Sequence, residues 1–266
     1  TPMIDIIATN NAVGTNSLQQ GKTWVQPVTS AAIDAARNGE RQIILTPTKV
    51  VPKSWFGDLG DTELLCLASS GSQQAPILAA AGAVVTSFDQ SSNQLRKDAK
   101  VAARNDLSNV AYKGNGRLIR FEDASFDLIV HPVSNLVAPD IKIVWQECTG
   151  ELRPSGRLMS GFMNPDFFLF DHWDIEEGDP FEVKFRLPHT DIAHVDPTTL
   201  DKRTAEQHAL EFRHSFDDQI GGQLAAGLAV AGFYEACWNV RDTPHNRYMF
   251  TSTLAFKPDE GWAVDL

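Results

Sequence analysis

From Glu63 onward the apolar positions fall in short, mostly apolar runs, separated by stretches with helical spacing. Glu63–Leu67, Ala83–Phe88, Phe126–Val130 and Arg157–Phe162 are runs of the kind a strand shows when both its faces are buried, and Val110-Ala111-Tyr112 opens another. Helical spacing covers Pro76–Ala81, Gln94–Asn105 and Asp140–Leu152. Gly82 stops the first of these helices. Leu95, Ala99 and Ala102 or Ala103 line one side of the second, and Pro154 and Gly156 mark the exit of the third. Short apolar strands alternating with helices predict an α/β fold, a Rossmann-like, doubly wound, mostly parallel sheet of about seven strands. Leu228–Tyr234 and Tyr248–Phe256 supply its last two strands.

Two regions depart from this rhythm. Before residue 60, Val28–Asn38 reads as a short helix with Thr29 or Ser30 as N-cap and Gly39 as its stop. Ile43-Ile44-Leu45 follows, and Pro47, Pro52 and Gly57 then break the backbone. Residues 163–204 are rich in Phe, Asp, Pro and His; within them Phe181–Leu187 alternates like a strand with one buried face. Ala205–Phe212 and Phe216–Ala226 read as helices. The expected organisation is therefore a cap over residues 1–60, a nucleotide-binding core over 61–162, an insertion over 163–204 that covers substrate, and completion of the sheet over 205–266.

The 266 residues are 42% apolar and 21% charged, an ordinary globular balance that can bury a core without staples. Cys66, Cys148 and Cys237 lie far apart in apolar surroundings, which predicts reduced thiols and a cytoplasmic setting. No apolar run approaches the roughly 18 residues of a membrane span, and no secretory signal is expected. The formal charge of −11 repels nucleic acid and anionic membranes, so the expected partner is a small molecule, bound by a monomer or homodimer.

In an open α/β sheet, ligands bind beyond the carboxyl ends of the strands, where the winding reverses. Ala68-Ser69-Ser70-Gly71-Ser72 is a small-residue turn leading through Gln73 and Gln74 into a helix, so backbone N–H groups can approach a ligand closely. Asp89 ends the next strand about 20 residues on, the spacing of a carboxylate that accepts hydrogen bonds from both ribose hydroxyls.

Glu63–Asp89 resembles the first two motifs of the class I S-adenosylmethionine-dependent methyltransferases, Phe126–Val130 their fourth-strand motif, and Glu151–Leu158 the helix exit before their fifth strand. Ala226–Glu235 and Thr251–Pro258 are similar to their closing antiparallel hairpin. Together with Ile44–Lys49, Ser72-Gln73-Gln74 and His131–Asn135, the pattern resembles a bacterial subgroup of these enzymes. The resemblance implies S-adenosyl-L-methionine as cofactor, held by Ala68, Ser69, Ser70, Gly71, Gln74, Asp89, Gln90, Asn115, Gly116 and His131. The family's acidic residue at the end of the first strand and its glycines give way here to Cys66, Ala68, Ser70 and Ser72. Serine keeps that turn small with less freedom at positive φ. Asn115, where the family often has Asp, can accept from the adenine amine.

His131, at the carboxyl end of the fourth strand, is the expected general base should the acceptor carry a proton. Asn135, Trp24 and Phe168 are expected on the substrate, with Trp173, Phe167 and Phe170 as further aromatic lining. No metal site is expected. His189, Asp191, His194 and Asp196 lack regular spacing, and His208, Glu211 and His214 read as a solvated helix face. Two other functions share the predicted geometry, a nicotinamide-dependent oxidoreductase and a non-catalytic cofactor-binding protein. The first lacks its G-x-G-x-x-G fingerprint here.

Overall fold

The computed structural model describes residues 26–68, 73–114, 119, 121–171, 182–206, 208–237 and 248–259. Five strands come in the expected order: β1 (Glu63–Leu67), β2 (Val84–Asp89), β3 (Asn109–Lys113), β4 (Phe126–His131) and β5 (Leu152–Met163). Between them lie α2 (Gln74–Ala80), α3 (Ser92–Arg104) and α4 (Ile141–Glu151), while α1 (Ser30–Arg37) precedes the sheet. A short antiparallel pair, β6 (His189–Thr190) and β7 (Phe212–Arg213), stands apart, and β8 (Ala229–Cys237) and β9 (Tyr248–Phe256) close the main sheet. Its seven strands run in the order β3-β2-β1-β4-β5-β9-β8. The pairs from β3 to β5 are parallel, and β9 runs antiparallel to both β5 and β8.

Period-two alternation explains why the central strands read as continuous apolar runs. Leu64, Cys66, Leu128 and Val130 face one layer with Ile33, Leu78 and Val101. Leu65, Leu67 and Ile129 face the other with Trp145, Cys148 and Leu158. Each buried Leu among them contributes about 1.5–3 kcal/mol by leaving water. Cys66 is one such core side chain, and burial pushes its thiol well up. The three cysteines are free.

Helix ends follow the local chemistry. The Thr29 hydroxyl accepts from the Ala32 amide at 3.2 Å, and the Asp140 carboxylate from the Lys142 amide at 3.0 Å. Gly39 and Gly82 take positive φ where α1 and α2 stop.

Four expectations fail. On α3 the buried face carries Gln94, Leu95, Asp98, Val101 and Ala102, and Ala99 is exposed, so two polar side chains occupy the inner face. Over 182–187 no strand forms, only a bridge between Val183 and Phe170. The expected helix over Ala205–Phe212 is displaced: α6 (Pro197–Ala205) ends where it was to begin. Leu210, Glu211, Phe212 and Arg213 are all buried, which one helical face does not allow, and the chain runs extended into β7. His208, Glu211 and His214 accordingly share no helix face. The Phe216–Ala226 helix forms as a π-turn at Asp217–Gly221 that leads into α7 (Gly222–Ala225), after α5 (Asp191–His194) and α6 in chain order. No helix among the described residues is long and apolar enough to cross a membrane.

Candidate cofactor and acceptor site

The winding reverses between β1 and β4, because β2 and β3 stack on one side of β1 and β4 and β5 on the other. At the carboxyl end of β1, Ala68 takes φ 55°, and its amide donates to Phe88 O at 2.8 Å. One strand over, the Gly114 amide donates to Asp89 O at 3.0 Å, which ties the ends of three strands together. A Cβ on Gly114 would collide with the Phe88 ring, so the backbone passes closely there.

Asp89 stands at this edge, 8% exposed, with Oδ1 accepting from the Ser91 amide at 2.7 Å. Burial raises its carboxyl to about 6, opposed by the Ser91 amide and reinforced by the neighbouring Asp98. A carboxylate raised by desolvation gains from ligand hydroxyls that replace the lost water. Gln74, at the start of α2, donates from Nε2 to Ile44 O at 2.9 Å, while its buried Oε1 has no partner among the described residues. That open acceptor beside the turn and the recessed carboxylate fit a polar nucleoside ligand. Gln90 is partly buried next to Asp89. Ser69, Ser70, Gly71, Asn115, Gly116, Trp24 and Trp173 lie outside the described residues.

On the β4 side the expected base is built differently. His131 is 4% exposed, with Nε2 at 2.5 Å from Asn135 Oδ1 and Nδ1 at 3.3 Å from Leu67 O. Asn135 Nδ2 donates to Gln219 Oε1 at 2.7 Å, and Gln223 Nε2 to Gln219 O at 2.9 Å. Thr253 Oγ1 then meets Gln223 Oε1 and Ser160 Oγ, each at 3.1 Å. A general base needs an unprotonated nitrogen turned toward the acceptor. Both His131 nitrogens face protein oxygens, and the neutral ring can donate to only one of them, so the residue opens a relay that links the β1 carbonyl to the π-turn through Asn135. Burial also holds the ring's pKa below its ordinary value, against the raising effect of its two hydrogen bonds. The Asn135 amide is likewise engaged on both sides, with Oδ1 toward His131 and Nδ2 toward Gln219. The relay's far members, Gln219 and Gln223, escape the motif reading. Their signal is two amides four residues apart around Gly221-Gly222, on one helical face.

The described part of 163–214 meets this end of the sheet through β7 and His214. β7 lies against the turn of Asn135–Val137, and His214 Nε2 is 2.9 Å from Ala138 O. Phe168 is buried with Arg213 over its ring at 5.7 Å; Phe167 and Phe170 are partly buried. Asp191 accepts from the Glu211 amide at 2.9 Å, and the His189 and His194 rings stack at 4.9 Å. Asp196 caps α6 through the Thr199 amide.

Residues 65–160 match the family model described as a methyltransferase domain. Over 231 residues the chain is 41% identical to the uncharacterized methyltransferase YbaJ of Bacillus subtilis (strain 168), covering 86% of this chain and 90% of that protein. The fold is similar to an S-adenosylmethionine-dependent methyltransferase from Mesorhizobium loti, with TM-score 0.60, 15% identity, and 77% of this chain and 94% of that one covered. A second such enzyme, from Methanosarcina mazei, matches with TM-score 0.60 at 18% identity, covering 79% and 99%.

Proposed function

Because the chain belongs to the class I S-adenosylmethionine-dependent methyltransferases, we propose that it methylates a small-molecule acceptor bound beyond β4 and β5, beneath residues 163–214. The observation that carries this reading is the placement of Asp89, Gln74 and the Ala68 turn around the β1–β4 switch point. Asp89 would hold the ribose hydroxyls, Gln74 with the 68–71 turn would hold the polar end of the cofactor, and Asn115 with Gly116 would take the adenine side. When bound, S-adenosylmethionine supplies a methyl already activated on a sulfonium, so in-line displacement asks the protein for alignment and dryness rather than strong acid–base chemistry. The chain's own contribution is positional. Relay residues would hold the floor under the reacting centre, with residues 163–204 as a lid that excludes water and residues 1–60 as a cap.

Calorimetric titration with S-adenosylhomocysteine tests the reading, with NAD and NADP as controls. The expected result is saturable binding of S-adenosylhomocysteine alone, weakened about a hundredfold in Asp89→Ala, since two hydrogen bonds to a charged group are lost. Unchanged affinity in that variant would remove Asp89 from the site. A product scan with labelled cofactor over small amines, phenols and carboxylic acids then tests the acceptor class. Transfer only to protein or nucleic acid would overturn it.

A further inference from the structure

Residues 163–214 are organised around charge. The Arg213 side chain is fully buried, with the rings of Phe185 and Phe168 at 4.7 and 5.7 Å from its guanidinium carbon. Its ion pairs are long, 3.4 Å from Nη2 to Asp191 and 3.4 Å from Nε to Glu211, and Nη1 has no hydrogen-bond partner among the described residues. Arg203 on α6 reaches Asp171 at 2.6 Å through Nη2, and its Nη1 is also unmet. His189 is 1% exposed, packs on Phe185 at 4.2 Å, and neither ring nitrogen has a hydrogen-bond partner among the described residues. A fold needing only stability is served as well or better by apolar side chains in such a place, and each unmet buried donor costs about 1–3 kcal/mol.

The unmet groups share one chemistry. Burial holds His189 neutral, lowering its pKa to about 4 with further lowering from Arg213 and Arg203, so one of its nitrogens donates. Two guanidinium N–H groups and an imidazole N–H are suited to an oxyanion. This cluster is adjacent to β7, which lies against the Asn135–Val137 turn beyond β4.

We infer that His189, Arg203 and Arg213 form a binding site for an oxyanion of the methyl acceptor, a carboxylate or a phosphate. The inference rests on the reading that the acceptor lies beyond β4 and β5. Asp171, Asp191 and Glu211 face the same groups. Burial raises Glu211 to about 7 despite Arg213, so Glu211 takes up a proton as the anion enters and limits the added negative charge.

The test titrates the full chain, with and without S-adenosylhomocysteine, using benzoate, inorganic phosphate and, as a neutral match, benzamide. Benzoate or phosphate should saturate, more tightly below about pH 7 than above it, while benzamide does not bind; whichever anion binds tighter identifies the acceptor's group. Arg213→Met and His189→Phe should each weaken the binding at least about tenfold. His189→Phe leaves no partner unsatisfied, so it keeps the test decisive where Arg213→Met fails to fold. Benzamide binding equal to benzoate, wild-type affinity in His189→Phe, or no saturation by either anion at millimolar concentration overturns the inference. Absence of S-adenosylhomocysteine binding counts against the proposed function instead, and the cofactor-free titration still decides this point.

Discussion

The molecule buries two polar assemblies side by side, and they are built on opposite rules. The relay from His131 through Asn135, Gln219 and Gln223 to Thr253 and Ser160 consists of uncharged amides, hydroxyls and a ring held neutral, each link between 2.5 and 3.1 Å. The cluster of Arg203, Arg213, Asp171, Asp191 and Glu211 is ionic, loosely paired at Arg213, and leaves donors open. A neutral, closed network holds a fixed shape at modest cost; a charged, open one keeps unspent capacity for something that arrives later. The first belongs to the rigid sheet edge, the second to the segment laid across it.

This contrast can be broken most severely at Arg213. Arg213→Ala removes the buried cation that Asp191 and Glu211 face, and denaturant unfolding should show a loss of about 3–5 kcal/mol. In the relay, Asn135→Leu removes a group bonded on both sides. A loss of about 2–3 kcal/mol is expected, accompanied by weaker S-adenosylhomocysteine binding because the relay ends on Leu67 O, beside the cofactor turn. An unchanged cofactor affinity in that variant would show that the relay is a packing device only.

Asp89→Asn should act with the opposite sign on stability. The carboxyl's value of about 6 in the fold lies above its ordinary 3.8. Its contribution is therefore fully present below about pH 4 and lost as pH rises through 6. The neutral amide should stabilise the cofactor-free chain by about 1–2 kcal/mol near pH 8 while weakening S-adenosylhomocysteine at least about tenfold. In the unmodified chain, cofactor affinity should fall as pH drops through about 6, and a flat profile from pH 5 to 8 would detach Asp89 from binding. The smallest effect is expected at the exposed Arg153–Asp127 pair, whose side chains are 40% and 38% exposed. Arg153→Ala should change stability by less than about 1 kcal/mol, as measured by thermal unfolding.

The same contrast explains what could be read from the sequence. β1, β2 and β4 announce themselves because most of their positions are buried and apolar up to the candidate residue at each end, Ala68, Asp89 or His131, with Thr86 and Ser87 in β2 and Asp127 in β4 as the polar exceptions. A chemical type does not reveal its partners, however. His131 at a strand end suits a base by type, and the sequence does not reveal that its nitrogens face Leu67 O and Asn135 Oδ1. The region after β5 was harder because its interior is polar. Leu210-Glu211-Phe212-Arg213 contains good helix formers, yet all four are buried, and pairing with β6 outweighs propensity. Asp98 and Gln94 point inward on α3 for a similar reason: no hydropathy pattern marks a buried carboxylate that lies near Asp89.

Ile44 and Leu45 set a limit on how finely this enzyme can be divided. Ile44 O accepts from Gln74, and Leu45 O accepts from the Val133 amide and lies where Gly161 has no room for a Cβ. Those three anchors belong to α2, to the loop after β4 and to β5, all within or next to the 65–160 span that matches the family model. A fragment cut to that span would keep every motif by which the family is recognised and lose the strap that closes its floor. Here the unit of descent and the unit of function have different boundaries, and a chimera that exchanged only the matched span would have to restore Gly161 and its Leu45 counterpart together.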